Sequence, residues 1–261
     1  MRIPVMAILV LTLPAMALAP FEHRLHAERN RLKYGSAKAA LTLRDRISQN
    51  TWIALLAGFR GVVADFIWIQ GHQYWETKQW LRQYRALDTV VMLQPQSVLF
   101  WDMGSWHLGW NIAYAERISP DNVTQAQGIQ RERIWHERAE AFLKRGIENI
   151  PNRYELYFKL GWLYHMKFHD HCRAEKYFGK AASFPSAPPF IGRMYARAKE
   201  GCGEVKEAYE YWRDLWFQGP ANIDMPSIVA RELKRLEDLL DLPEDERVFP
   251  KHTDTDANPT P

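Results

Sequence analysis

Several kinds of sequence signal are missing from this chain, and each absence narrows the functions open to it. No P-loop, G-x-G-x-x-G, H-E-x-x-H or G-x-S-x-G motif occurs, so the common nucleotide, zinc-protease and serine-hydrolase sites are not indicated. There is no long basic run and the net charge is only +3, which argues against nucleic acid as a partner. We therefore expect neither an enzyme nor a bound cofactor.

Aromatic residues, by contrast, are abundant: they make up 13% of the chain and include 11 tryptophans. A tryptophan buries a large apolar area and keeps one hydrogen-bond donor, so it serves both helix packing and binding grooves. The remaining composition, 47% hydrophobic and 25% charged, is ordinary for a globular protein. The length of 261 residues permits one repeat domain or two small domains.

A signature of two paired helices lies between Tyr157 and Pro185. Gly161 allows close backbone approach on the first helix, and Ala174 leaves room on the second. Pro185 ends the second helix because proline lacks an amide donor. The full set of marker positions is Tyr157, Leu160, Gly161, Tyr164, Ala174, Phe178 and Pro185.

The marker positions recur at intervals of 34 or 35 residues, which favours a single repeat domain. The registers are Ala139, Ala174 and Ala208; Leu143, Phe178 and Trp212; Gly146, Ala181 and Leu215; and Pro151, Pro185 and Pro220. Upstream, Gly71 and Pro95 are 24 residues apart (95−71), as are Gly161 and Pro185 (185−161). Pro95 and Pro151 are 56 apart, one repeat of 34 plus 22. We therefore predict four units, the second carrying an insertion near residues 117–133, either an extended loop or a lengthened helix beginning near Thr124.

These positions resemble the tetratricopeptide pattern W-x2-L-G-x2-Y…A-x3-F…P, with Tyr157 in the place of the tryptophan. The resemblance implies an all-α fold, a right-handed α-solenoid of about four helix pairs in which each pair buries its apolar face only against its neighbours. The segments Gly58–Trp68 and Trp101–Tyr114 are similar to stretches of a group of bacterial exported tetratricopeptide proteins of undefined role. That similarity implies a bacterial origin and the same fold, but no activity.

The N-terminal flank has the features of a targeting segment. Arg2 precedes an apolar run from Ile3 to Ala19 that ends in an A-x-A-like triplet, so residues 1–22 are predicted to be a signal peptide or a retained membrane anchor. The alternative is a buried first helix of the solenoid. No cysteine follows the run, so lipid attachment is not indicated. Residues 23–50 are predicted to form connecting helices.

The solenoid is predicted to occupy residues 51–242. The apolar stretch Thr51–Gly71 is interpreted as a buried helix opening the first repeat, because Arg60 and Asp65 near its middle argue against lipid exposure. Met225–Leu240 has helical apolar spacing and is predicted to be a terminal capping helix. Residues 243–261 are polar and proline-rich and are predicted to be a disordered tail.

Two sets of side chains could carry chemistry near the third unit. One is a possible zinc site of imidazoles and a thiolate, formed by His165, His169, His171 and Cys172, although the same residues suit a solvated turn. The other is a disulfide candidate. Cys172 and Cys202, the only cysteines, each fall at the turn of their own repeat, and an oxidising compartment would permit a disulfide between them. The alternative is two unpaired buried thiols.

The stronger functional hypothesis follows from the resemblance. In tetratricopeptide proteins the inner faces of the first helices line a concave surface, which implies a binding surface at the matching positions of this chain. The spacing of 3 or 4 residues places aromatic and charged side chains on one face of each helix. Tryptophans can anchor a protein segment and arginines can bind its carboxylates. The alternative is that these aromatics are core. The predicted binding residues are Asp65, Trp68, His72, Trp75, Asp102, Trp106, Glu155, Phe158, Trp162, His165, Phe190, Arg193 and Arg197.

The interpretation that best fits these features is a non-enzymatic scaffold of a bacterial envelope assembly. It would bind a protein or peptide partner through the repeats and reach the membrane through its N-terminal segment, in the periplasm or anchored to the membrane. The alternative interpretation is a metal-binding protein or metal-dependent enzyme using the cluster from His165 to Cys172.

Overall fold

The computed structural model describes residues 58–219 and 225–250. Every regular element in that part of the chain is helical, and the all-α prediction is confirmed. The chain divides into two compact units, one ending at Leu156 and one beginning at Tyr157. The periodicity alone favours a single repeat domain. A stack of repeats can divide in this way because each repeat contacts only its neighbours.

The first unit contains two helix pairs. A continuous run from Val98 to Arg117 forms the first half of the second pair, because a π-helical segment connects α3 directly to α4. The helices are α1 (Arg60–Glu76), α2 (Trp80–Leu93), α3 (Val98–Trp106), the π segment (His107–Ile112), α4 (Ala113–Arg117) and α5 (Gln125–Asn149).

The second pair packs through a glycine, as the repeat pattern predicts. A Cβ on Gly104 would lie 2.8 Å from Cε1 and Cζ of Phe142, so only glycine lets α3 approach α5 this closely. Ala139 and Leu143, two of the periodic positions, are fully buried beside Phe142. Trp101 lies against the same ring at a centroid distance of 4.8 Å, which completes the core of this pair.

The predicted insertion lengthens helices. A turn in which the Asn122 amide donates to the Ser119 carbonyl separates α4 from α5. Helix α5 then begins at Gln125, and the Thr124 hydroxyl caps it by accepting the Gln127 amide at 3.2 Å. With 25 residues, α5 is about twice as long as the 12 residues of His171–Ala182 in the next pair. Of the two alternatives, the lengthened helix is the one that forms.

The second unit contains two further pairs and a terminal helix. Its first pair also includes a π-helical segment, at the end of the first helix. The elements are α6 (Tyr154–Leu163), which begins just before the unit boundary, the π segment (Tyr164–Phe168), α7 (His171–Ala182), α8 (Phe190–Gly201), α9 (Val205–Phe217) and α10 (Pro226–Leu239). With the first unit, the described residues thus form four TPR-like helix pairs and a capping helix, as predicted.

The core of the second unit is built from the periodic positions. Ala174, Phe178, Ala208 and Trp212 are all fully buried. A Cβ on Gly161 would lie 2.7 Å from Cδ1 of Phe178, so this glycine allows α6 to contact α7. Helix α10 covers the far side of the unit with a stripe at helical spacing, in which the buried residues are Val229, Leu233 and Leu236.

The prediction of a disordered tail does not hold for residues 243–250. The buried carboxylate of Glu237 accepts the backbone amide of Val248 at 2.7 Å, and the Phe249 ring packs on Trp216 at 5.1 Å. Arg247 donates to the Leu242 carbonyl at 2.8 Å. Composition suggested disorder, but one buried carboxylate with several donors orders this segment. Residues 251–261 lie outside the described part.

The prediction that the opening helix is buried is wrong for α1. Only Ala64 and Gly71 are buried there, whereas Val62, Phe66 and Ile69 are 49%, 69% and 65% exposed. An outer helix of a stack has a neighbour on one side only, so its opposite face stays uncovered by other described helices. No helix within residues 58–219 and 225–250 is both long and apolar enough to cross a bilayer. The predicted anchor (1–22) and connecting helices (23–50) lie outside the described residues.

Candidate functional site

In the first unit, three tryptophans surround one histidine. The rings of Trp68, Trp75 and Trp106 lie 6.3, 6.0 and 5.4 Å from the ring of His107, each in an edge-on arrangement. We call these four residues the His107 cluster. Edge-to-face contacts at such distances are favourable, so the rings hold one another in place.

The cluster follows from helical spacing on α1 and from the start of the π segment. Trp68 and Trp75 are seven residues apart, which is close to two helical turns, so they share one face of α1. Trp68 rests on the buried ring of Phe100 at 5.2 Å. His107 follows Trp106 directly at the first position of the π segment. Segments of this kind occur frequently at functional sites.

The cluster is partly open to solvent. Trp106 is 42% exposed, while Trp68, Trp75 and His107 are half-buried. Burial, followed by the charge of the nearby His72, lowers the pKa of His107 from its ordinary value. The side-chain amide of Asn111 lies 3.2 Å from Nδ1 of His107, and a neutral ring protonated on Nε2 accepts that hydrogen bond. The four rings of the cluster are therefore uncharged at neutral pH.

Of the other predicted residues on α1 and α3, His72 contacts the cluster. The His72 ring is 5.3 Å from Trp75, and its Nε2 is 3.5 Å from Glu76 on the same helix. Asp65 is exposed on α1, and Asp102 is half-buried on α3. Our sequence-based set did not include His107, the residue that joins the three tryptophans. Its position directly after Trp106, a predicted binding residue, is the sequence feature that could have identified it.

In the second unit, the predicted aromatics also lie together. Phe158 stacks on Trp162 at 6.1 Å, and Trp162 lies 5.9 Å from His165, which is in the second π segment. We call these three residues the Phe158 cluster. All three are half-buried, so each presents part of its ring to solvent.

The Phe158 cluster rests on other aromatic rings. Phe158 contacts the buried Phe178 at 5.7 Å and Phe190 at 5.4 Å. The Trp-and-His combination of the first unit thus recurs, again where a first helix passes into a π segment.

The predicted charged residues of this unit are partly engaged by other charges. Arg197 donates to Glu232 at 3.1 Å, so its guanidinium already has a carboxylate partner. Arg193 is half-buried on α8. Glu155, in the first unit, is held by Arg153 at 2.6 Å, which lowers its pKa. Neither Arg197 nor Glu155 offers an unengaged charge.

The four-residue metal site suggested by the sequence is wrong, because Cys172 is not available as a ligand. Its sulfur forms a disulfide with Cys202, and the two Cα atoms are 4.7 Å apart. Of the two cysteine states considered, the disulfide is the one present. Within the described ranges, no group of three or more metal-ligating side chains is close enough to hold an ion.

Two of the histidines nevertheless meet. Nδ1 of His165 lies 3.2 Å from Nδ1 of His171. Burial, followed by the charges of His171, His169 and Arg197, lowers the pKa of His165. His169 has a left-handed backbone conformation at the turn and its side chain is exposed. His171 therefore extends the Phe158 cluster with a second imidazole.

Among solved structures, the chain resembles a helical repeat protein at low sequence identity. The chain resembles the crystal structure of a thermophilic TPR protein of Thermus thermophilus, with 14% sequence identity and a TM-score of 0.35. The match covers 66% of this chain and 99% of the other. No protein-family model and no curated protein matched the sequence. The TPR-like features of the fold are its periodic buried positions and the glycine–aromatic contacts between paired helices.

Proposed function

We propose that this chain is a non-enzymatic scaffold that binds a protein or peptide partner through its aromatic surfaces. The observation that carries the proposal is the His107 cluster, in which three tryptophans from two helices meet at a half-buried histidine and one remains 42% exposed. Tryptophans in partly buried, preorganised positions are typical anchors of protein interfaces.

The Phe158 cluster supports the same proposal. It again combines tryptophan with histidine, where the first helix of another pair passes into a π segment. Phe158 of this cluster is held by a fully buried ring. Because the rings are already packed, a partner would immobilise few side chains on binding, which reduces the entropic cost of association. An apolar surface with half-exposed rings suits an apolar side chain of a partner protein.

A location in the bacterial cell envelope is part of the proposal. The disulfide between Cys172 and Cys202 supports it, because disulfides persist in oxidising compartments such as the periplasm. The apolar N-terminal run, with its A-x-A-like end, is the sequence feature that favours export or anchoring.

The test is affinity capture from native membranes with the full chain as bait, followed by mass spectrometry. The bait is compared as wild type, Trp75→Ala, Trp106→Ala and Phe217→Ala. Phe217 is the matched control because it is 69% exposed and belongs to neither cluster.

We expect a specific partner to bind the wild type and Phe217→Ala. Binding to the Trp75 and Trp106 variants should be weaker by about 2 kcal/mol or more, the usual scale of an anchor residue. Equal binding by all four baits would contradict the proposal. So would a large loss of thermal stability in both tryptophan variants, since the rings would then be core.

A further inference from the structure

A pocket of about 600 Å³ lies in the first unit, apart from the His107 cluster. It is bounded by the start of α2, the end of α4 and the N-terminal half of α5, and it shares no residue with that cluster. Two of its three walls, at Glu116 and at residues 131–138, come from or adjoin the insertion that lengthens the second pair. The insertion therefore builds a concave surface that a repeat of ordinary length would lack.

The lining carries an excess of positive charge. The lining contains three arginines, Arg82, Arg131 and Arg138, and one carboxylate, Glu116. The formal net charge of the lining is therefore +2 (three cations less one anion). In the part of the chain that the structure describes, no carboxylate forms an ion pair with any of the three. Neighbouring arginines do have such partners: Arg117 pairs with Glu132 at 2.6 Å and Arg133 with Glu137 at 3.3 Å.

Neutral groups position two of these arginines. The guanidinium carbon of Arg138 lies 4.2 Å from the Trp135 ring centroid and 5.6 Å from that of Tyr84. The two aromatic rings therefore hold the guanidinium group in place. Nη1 of Arg82 donates to Oε1 of Gln79 at 2.6 Å. Held in this way, the guanidinium groups keep further N–H donors available for an anion.

Apart from Gln79, the uncharged lining residues are apolar, and they range from buried to exposed. Trp135 is 4% exposed, while Leu81 and Ile134 are 57% and 40% exposed. A small-molecule site usually encloses most of its ligand. These exposed side chains suit a segment that lies across the opening and extends beyond it.

We propose that this pocket binds an acidic peptide segment of a partner protein, with carboxylates on the arginines and an apolar side chain against Leu81 and Ile134. Arginine can bind a carboxylate through two parallel N–H donors, which fixes the direction of the segment. The proposal adds a charged recognition site to the two aromatic clusters and does not depend on them.

The test uses the full chain and fluorescence anisotropy with a fluorescein-labelled peptide in which glutamates flank a central leucine. A second peptide has glutamine at each glutamate position. The protein variants are Arg131→Gln, Arg138→Gln, Arg133→Gln and Trp106→Ala. Arg133→Gln is the matched control, because it removes the same charge from α5 at a residue that does not line the pocket.

We expect the glutamate peptide to bind saturably and the glutamine peptide to bind at least about tenfold more weakly, or ~1.4 kcal/mol. Arg131→Gln and Arg138→Gln should each raise the Kd by about tenfold, with Arg133→Gln close to wild type. Arg131→Gln keeps the test valid if Arg138→Gln reduces stability through the lost contact with Trp135. Trp106→Ala should bind the probe normally, so failure of the aromatic-surface proposal would not be confused with failure of this one.

The proposal would be overturned by no saturable binding of the glutamate peptide, by equal binding of the glutamine peptide, or by an equal loss of affinity in Arg133→Gln. Competition by free glutamate at the same concentration as the peptide would also overturn it, because the site would then recognise a small carboxylate alone.

Discussion

At the residue scale, glycines decide how closely the helices of a pair approach. Gly104 faces Phe142 in the first unit and Gly161 faces Phe178 in the second. The separations along the chain are 38 (142−104) and 17 (178−161), and their difference of 21 is close to the 22 predicted for the insertion. The same glycine–aromatic contact therefore forms despite the intervening residues.

Replacing Gly161 by leucine should destabilise the second unit by about 1–3 kcal/mol, because the added side chain strains a tightly packed contact. Its Cβ alone would be 2.7 Å from Phe178. Chemical denaturation measures the change, and Lys176→Leu at an exposed position of α7 is the control. An unchanged midpoint for Gly161→Leu would mean that α6 can move away from α7 at little cost.

His107 should make the stability of the first unit depend on pH. Its pKa is lowered in the folded state by burial and then by His72, whereas the unfolded chain has a pKa of about 6.5. As the pH falls, His107 is therefore protonated at a higher pH in the unfolded state than in the folded state. The free energy of unfolding should be highest above about pH 6.5 and should fall as the pH drops toward the lowered folded-state pKa.

Urea unfolding at a series of pH values, for wild type and His107→Asn, tests this. The variant should lose less stability on acidification, with a residual dependence left by His165, whose pKa is also lowered. Parallel curves for the two proteins would show that the His107 proton does not contribute.

At the element scale, the disulfide links the start of α7 to the end of α8. Cys172 is the second residue of α7, and Cys202 follows the last residue of α8. The two cysteines are 30 residues apart, so the bond closes a loop that contains most of both helices. Within the second unit it joins two helices of successive pairs.

Removing this bond should destabilise the second unit by about 2–4 kcal/mol, because the unfolded chain regains the entropy of the open loop. The measurement is the Tm with and without reductant. The double variant Cys172→Ser/Cys202→Ser is the control and should be insensitive to reductant. A wild-type Tm that stays constant in reductant, with both thiols free by titration, would contradict the expectation.

At the scale of the whole molecule, the apolar run of residues 3–19 predicts that the chain is exported or anchored to a membrane. We expect the full chain to sediment with bacterial membranes and a chain beginning at Ala27 to remain in the supernatant, because the latter lacks the apolar run of residues 3–19. Cell fractionation with immunodetection measures both. Full-length protein in the soluble fraction with an intact Met1 end would contradict both export and anchoring.

The amino-acid sequence by itself determined the helix pairs and their core. Small and large apolar residues recur at 34 or 35 residues, and this local pattern encodes which face of each helix must be buried. The periodic positions Ala139, Phe178 and Trp212 are fully buried for that reason. The two cysteines could be placed at neighbouring turns by the same spacing.

Only the tertiary structure decided which side chains from separate elements meet. His107 joins tryptophans of two helices, and Glu237 orders a segment whose composition suggested disorder. In the arginine-lined pocket, Arg82 meets residues that follow it by 34 (116−82) to 56 positions (138−82). Helical periodicity specifies the buried face of each element. The contacts of His107 depend instead on a π segment, and those in the arginine-lined pocket depend on the lengths of α4 and α5.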